Sequence, residues 1–316
     1  MTSIVIIGCY FGNLRKDTPV FLKSIEKNPT IDWLIFSDCD WRNVPSNVKI
    51  VDITFEKLKE LIQSKFDFKI CLDAPYKLCD FRPAYGEIFQ EYIADYDFWG
   101  HTDFDLVYGN LRKFFTEVKL KNYDRIYYQG HLSIYRNIER INSFYKSSKG
   151  KQNYKEVFSD PINRVFDEVD GMYPIFINEN VPIYSEVEYI DVYPYLNVML
   201  HPRKEHDIST SFPKNMPYQI FGYDNGSVFK WYREENKIKA QEYAYIHFSH
   251  KSFVPIESEN FYFTSKGLVP RLEHDDIPFQ RYYKGIDELR MNAAELIFRV
   301  KRKTNKIKME IANRRN

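Results

Sequence analysis

Ile4-Val5-Ile6-Ile7-Gly8-Cys9-Tyr10-Phe11, closed by Gly12-Asn13, is a short continuous apolar run that ends in turn residues. Apolar side chains at successive positions, rather than at alternate ones, belong to a strand buried on both faces of a parallel sheet. Downstream of it, Thr18 to Lys27 reads as a helix, Asp32 to Phe36 as a second strand ending at Ser37-Asp38, and Val48 to Ile53 as a third. Strand, helix, strand at the start of the chain predicts a doubly wound α/β sheet. Ligands in such sheets sit beyond the carboxyl ends of the strands, so Cys9, Tyr10 and Phe11 in one loop and Asp38 in the next are candidate ligand-facing residues.

The 316 residues leave room for one large domain or two modest ones. With 45 Lys plus Arg against 44 Asp plus Glu, the net charge of +1 disfavours a globally basic nucleic-acid binder, and no nucleic-acid partner is expected. An aromatic share of 17% is too rich for a disordered chain. Aromatic faces stack on sugar rings, although a core of large residues would have the same composition. Cys9, Cys39, Cys71 and Cys79 form no Cys-x-x-Cys pair, which predicts neither a zinc ribbon nor a disulfide framework and fits a reducing cytoplasm. No basic leader precedes Ile4, and no apolar run approaches the roughly 18 residues of a membrane span, so neither secretion nor insertion is expected.

Further along, Thr54 to Lys65 is amphipathic, and Pro83 to Ile93 reads as a helix with proline in its first turn. Leu111 to Val118 looks helical, Arg125 to Gln129 and His131 to Arg136 look like strands, and residues 140–215 carry no usable period. Asn225-Gly226, inside Phe221 to Tyr232, predicts a hairpin with a type I′ turn, and Tyr243 to Phe248 a further strand. The expected organisation is a catalytic-type domain over 1–289 and a basic tail over 290–316.

Tyr96-Asp97-Phe98-Trp99-Gly100-His101-Thr102 runs as an aromatic strand into Asp103-Phe104-Asp105. Two carboxylates flanking one residue reach a common hard cation where a strand ends and bends, and Mg²⁺ or Mn²⁺ takes oxygen ligands together with phosphate. Asp103 and Asp105 are therefore candidate metal ligands. Lys77, Asp80 and Arg82 lie just before the Pro83 helix, where they could meet a base, ribose or phosphate; a solvated helix entry with a local ion pair is the plainer alternative.

The stretch Tyr76-Lys77-Leu78-Cys79-Asp80-Phe81-Arg82-Pro83-Ala84-Tyr85-Gly86, coupled to Tyr96-Asp97-Phe98-Trp99-Gly100 and Asp103-Phe104-Asp105-Leu106-Val107-Tyr108-Gly109, resembles a bacterial family of polysaccharide-synthesis proteins. That family is similar to GT-A fold glycosyltransferases, and the likeness is good over about residues 1–140. The resemblance implies a GT-A-like mixed sheet flanked by helices and ending in a helical basic tail. It also implies sugar transfer from a nucleotide-diphosphate donor, with UDP favoured, the diphosphate being bridged by Mn²⁺ or Mg²⁺ and contacted around Phe104.

In Tyr245-Ile246-His247-Phe248-Ser249-His250-Lys251, period-two alternation predicts one strand face carrying His247, Ser249 and Lys251, with His250 opposite. His247 is a candidate metal ligand and Lys251 a candidate diphosphate contact, a pattern similar to the late histidine of metal-dependent GT-A enzymes. His131 is placed against donor or acceptor hydroxyls, with a capped turn as the alternative. Asp167 and Glu168 are candidates for the general base of an inverting transferase.

The tail holds nine Lys or Arg against two Glu over 290–316, a local net charge of +7 that leaves the rest at −6. Leu289, Ala293, Leu296, Val300, Ile307 and Ile311 would form one apolar stripe. The expected partners are a nucleotide sugar, a glycan or lipid-linked glycan acceptor and an anionic membrane surface, with docking of the tail on its own domain as the alternative. A metal-dependent phosphohydrolase and a non-catalytic carbohydrate-binding protein are the rival functions.

Overall fold

A computed structural model describes residues 1–193, 196, 198–200, 212–249, 251–272, 276–294, 296, 297, 300 and 304. Its first strand, β1 (Ile4–Tyr10), is the buried apolar run, and it pairs in parallel with β2 (Asp32–Ser37) and β4 (Phe98–Thr102). β3 (Val48–Asp52) adds to β2 in parallel. Beyond β4 the direction reverses. β7 (Leu132–Arg136) is antiparallel to β4 and to β6 (Arg125–Gln129), and β8 (Ile183–Tyr184) closes the edge. The order is β3-β2-β1-β4-β7-β6-β8, a mixed seven-stranded sheet rather than a purely parallel one.

Helices cover both faces. α1 (Thr18–Glu26) buries Phe21, Leu22 and Ile25 against one face with Ile4, Ile6 and Trp33, while α2 (Phe55–Gln63) buries Leu58 and Ile62 against the other with Val5, Ile7 and Phe36. The Thr54 side chain accepts from the Lys57 N–H and sets the start of α2. The helix predicted from Pro83 to Ile93 is a string of short turns. Residues 75–93 alternate 3₁₀ and α segments, because Pro75 and Pro83 donate no N–H and Gly86 is wedged against Asn142 and Trp99. Leu111 to Val118 likewise divides into a 3₁₀ turn, Leu111–Lys113, and a helix, Glu117–Asn122.

A second, antiparallel sheet carries the predicted hairpin. β10 (Tyr218–Asp224) and β11 (Ser227–Glu234) pair with Asp224 opposite Ser227, and Asn225 and Gly226 both take positive φ, as a type I′ turn requires. β12 (Lys237–Tyr243) pairs with β11, and β14 (Phe261–Thr264) and β15 (Gly267–Pro270) extend the other edge, with β16 (Gln280–Arg281) also on β10. Between the two sheets lies a small three-stranded one, in which β13 (Tyr245–His247) pairs antiparallel with β5 (Leu106–Tyr108) and parallel with β9 (Ile190–Asp191).

A helix begins at residue 286 and includes residues 286–294, 296, 297, 300 and 304, so the boundary drawn at 289 falls inside it. Met291 docks it beside Tyr193, Met199 and Tyr282, and the Tyr193 hydroxyl donates to the Met291 carbonyl at 2.9 Å. Leu289, Leu296 and Val300 of the predicted stripe are exposed, whereas Ile307 and Ile311 lie outside the described residues. No helix among the described residues is long and apolar enough to cross a membrane.

Candidate active site

The three-stranded sheet explains how distant acidic and imidazole groups meet. β9 and β13 run in parallel with His247 opposite Asp191, so both strands deliver their last residue to one end. β5 runs the other way with Leu106 opposite His247, which places Asp105, the residue before it, at the same end. Main-chain bonds lock the junction: Phe248 N–H donates to the Asp105 carbonyl at 2.9 Å, and Val192 N–H to the His247 carbonyl at 2.9 Å. Asp103 arrives from the carboxyl end of β4, its N–H donating to the His131 carbonyl at 2.9 Å.

Asp103, Asp105 and His247 each bring a ligand atom within 4.8 Å of the others. His247 Nε2 lies 3.3 Å from Asp105 Oδ1, and its Nδ1 lies 2.8 Å from Asp191 Oδ1. Burial opposes the imidazolium, but Asp105 and Asp191 outweigh it and raise the His247 pKa to about 10. Two carboxylates and an imidazole at this spacing are a donor set that could hold a divalent cation.

Phe104 does not face a ligand as a free wall. Its ring sits over Gly8, where a Cβ would come within 2.5 Å of Cζ, and it contacts the rings of Tyr10, Phe21 and Trp41. A side chain pinned beneath the strand ends leaves its two neighbours to project from the bend. Tyr10 meets Trp41 edge-on and its hydroxyl donates to the Asn13 carbonyl at 2.6 Å, while Phe11 packs on Phe55. Burial pushes the Cys9 thiol up to about 12. Asp38 is exposed just past β2, beside the β1 end through the Tyr10–Ser37 pairing, whereas Cys9 and Phe11 pack against the core on the α2 side.

Arg82 joins two carboxylates. Its guanidinium donates to Asp167 Oδ2 and to the Gly130 carbonyl, each at 2.8 Å, and also pairs with Asp103. Burial raises the Asp167 pKa and Arg82 opposes the rise. Asp167 is buried in a turn, not on a helix, and Glu168 beside it is half-exposed.

Three expectations are corrected by this geometry. Lys77 and Asp80 are a buried pair 2.7 Å apart. Lys77 Nζ also donates to the Val157 and Ile162 carbonyls, and Asp80 accepts from the N–H groups of Arg164 and Phe166, so the pair holds the 160s turn instead of facing a donor. His131 is buried, its Nδ1 2.9 Å from the Tyr245 hydroxyl and its ring stacked on His247 at 4.5 Å, which directs it to the support of His247 rather than to sugar hydroxyls. The strand predicted through Lys251 ends at His247. Ser249 has a positive φ, and a turn brings Lys251 N–H to the Phe248 carbonyl, so strict alternation does not reach Lys251; His250 is outside the described residues.

Sequence reading missed Arg15 and Asp191. Arg15 is paired to Asp17 at 2.9 Å and donates to the Lys251 carbonyl, which ties the loop after β1 to the segment after β13. Asp191 ends a two-residue strand in the stretch without a usable period; its only local signal is the run Tyr189-Ile190-Asp191-Val192.

No curated protein matches the sequence. Solved structures that align with the chain include an active-site mutant of LgtC, at 11% identity over 78% of this chain and 88% of that one, with a TM-score of 0.42. The galactosyltransferase LgtC in complex with donor and acceptor sugar analogues is 12% identical over 67% and 85%, with a TM-score of 0.37. Mouse xyloside xylosyltransferase 1 in its apo form is 8% identical over 80% and 100%, with a TM-score of 0.45. Residues 6–270 match a family described only as a family of unknown function (DUF6625), and the chain belongs to that family.

Proposed function

We propose that this protein is a metal-dependent glycosyltransferase of the GT-A type that moves a hexose from a nucleotide-diphosphate sugar, a UDP-sugar by preference, onto a polysaccharide or lipid-linked oligosaccharide. The observation that carries the reading is the convergence of Asp103, Asp105 and His247 within 4.8 Å where the carboxyl end of β4 in the mixed sheet meets the three-stranded sheet. Asp103, Asp105 and His247 would hold Mn²⁺ or Mg²⁺, which supplies positive charge to a departing nucleoside diphosphate.

The rest of the site fits the task. Tyr10, Trp41 and Asp38 rim the carboxyl ends of β1 and β2, where a base and ribose would lie. Lys251, although strand alternation no longer reaches it, is kept as the cation for the diphosphate because Arg15 ties its carbonyl to the loop after β1, and Arg82 holds Asp103 in place from behind. Because Asp167 is buried and bonded to Arg82, the half-exposed Glu168 is the member of that pair assigned to an acceptor hydroxyl. The protein works in the cytoplasm, with the basic tail bringing it to the membrane that carries a lipid-linked acceptor.

Calorimetric titration with nucleoside diphosphates, with and without Mn²⁺, tests the reading. Metal-dependent UDP binding that disappears in Asp105→Asn is expected. Metal-independent binding of free sugars alone, or release of phosphate from simple esters, would replace it with one of the two rival functions.

A further inference from the structure

His247 belongs to two clusters that could each hold a cation: Asp103, Asp105 and His247 on the open side, and His131, Asp191 and His247 in the interior. The hydrogen bonds decide between them. On the interior side His247 Nδ1 is 2.8 Å from Asp191 Oδ1, and His131 Nδ1 is engaged by the Tyr245 hydroxyl at 2.9 Å. The Ser249 hydroxyl, turned inward by its positive φ, donates to the same Asp191 oxygen at 3.3 Å. All three members of the interior cluster are buried, whereas Asp103 and Asp105 are partly open. With Nδ1–H held by a carboxylate, a cation that displaces the Nε2 proton meets a lone pair of fixed direction, and here that direction is toward Asp105.

We propose that Asp191 is a positioning residue, which fixes the ring orientation and Nδ1–H tautomer of His247 so that Nε2 completes the cation site with Asp103 and Asp105. The interior cluster is then the support of the open one and not a second metal site. His131, stacked on the His247 ring at 4.5 Å, blocks the ring from tipping away, and the β9–β13 pairing sets Asp191 opposite it. The inference rests on the metal reading above and adds to it a residue that touches neither ion nor substrate.

The test uses the full chain. Mn²⁺ affinity is measured by electron paramagnetic resonance without nucleotide, and the His247 ring nitrogens are observed by ¹⁵N NMR with saturating Mg²⁺. Asp191→Ala is expected to weaken Mn²⁺ by about 10- to 100-fold, the usual cost of losing such an outer partner, and to shift the ring nitrogens away from a protonated Nδ1. Asp191→Asn, whose amide oxygen still accepts, should recover part of both, and a melting curve identifies any variant that fails to fold. His131→Ala should weaken Mn²⁺ much less than Asp105→Asn. Wild-type Mn²⁺ affinity in a folded Asp191→Ala protein overturns the inference alone. Loss of Mn²⁺ in His131→Ala with wild-type affinity in Asp105→Asn puts the ion in the interior cluster and also overturns it. A wild-type chain that binds no Mn²⁺ overturns the metal reading and this inference together.

Discussion

The guanidinium of Arg82 donates to Asp167 at 2.8 Å while also pairing with Asp103, so one buried cation spans the 160s turn and the proposed metal site. A carboxylate held in that way contributes to the framework, and the acceptor hydroxyl is proposed to meet the half-exposed Glu168 instead. Asp167→Ala should destabilise the fold by about 1–3 kcal/mol, since the Arg82 guanidinium loses an acceptor in the buried turn. Glu168→Gln should lower transfer with little change in melting temperature. Thermal melts and a transfer assay on both variants check this; equal melting temperatures with equal loss of transfer would mean that the pair acts as one acidic unit.

Lys77 and Asp80 give the opposite kind of expectation. Their ammonium and carboxylate are 4% and 0% exposed, and removing one partner leaves the other charged and buried. Lys77→Met or Asp80→Asn should therefore cost about 3–5 kcal/mol, as for other broken buried pairs. Donor affinity measured well below the melting transition should change little. A folded variant with native melting temperature and much weaker donor binding would return both residues to the donor site.

That pair also shows where sequence reading stops. Ile4–Tyr10, α1, β2 and β3 are legible because each is decided by its own run of apolar residues, and Asn225-Gly226 because a type I′ turn needs positive φ at two adjacent positions. The meeting of Asp103, Asp105 and His247 has a related signal: the two aspartates follow the aromatic strand β4, and His247 ends β13. Lys77 and Asp80 look like a solvated helix entry, since nothing local says that the carbonyls of Val157 and Ile162 will close over the ammonium. Asp191 is harder still. Its strand is two residues long and exists through pairing with β13, whose His247 is 56 positions away.

Lys251 predicts a pH dependence. Burial lowers its pKa to about 8, so the ammonium loses its charge as pH rises through that value. A diphosphate contact needs the charged form; nucleoside diphosphate affinity should fall between pH 7 and 9.5. Lys251→Arg, which stays protonated across that range, should flatten the fall. Titrations at several pH values in constant ionic strength measure it, and a flat wild-type profile would remove Lys251 from the diphosphate side.

The C-terminal helix divides its faces between the domain and the solvent. Met291 is buried on Tyr193 and Tyr282, while Leu289, Leu296, Ile297 and Val300 are all more than half exposed on the other side. That apolar surface lies in a segment whose 290–316 span carries +7 on a chain of net charge +1. An anionic bilayer complements both properties, each basic residue near the surface contributing about 1 kcal/mol that salt erodes, and the apolar face a part that salt leaves. Truncation after Ala294 keeps the Met291 contact and removes eight of the nine basic residues. The truncated protein should retain nucleotide binding and its melting temperature but lose sedimentation with phosphatidylserine vesicles. Raising salt should weaken the full-length protein's binding without abolishing it. Equal sedimentation of both proteins would remove the membrane role, and a sharply lower melting temperature without vesicles would show that residues beyond 294 pack on the domain instead.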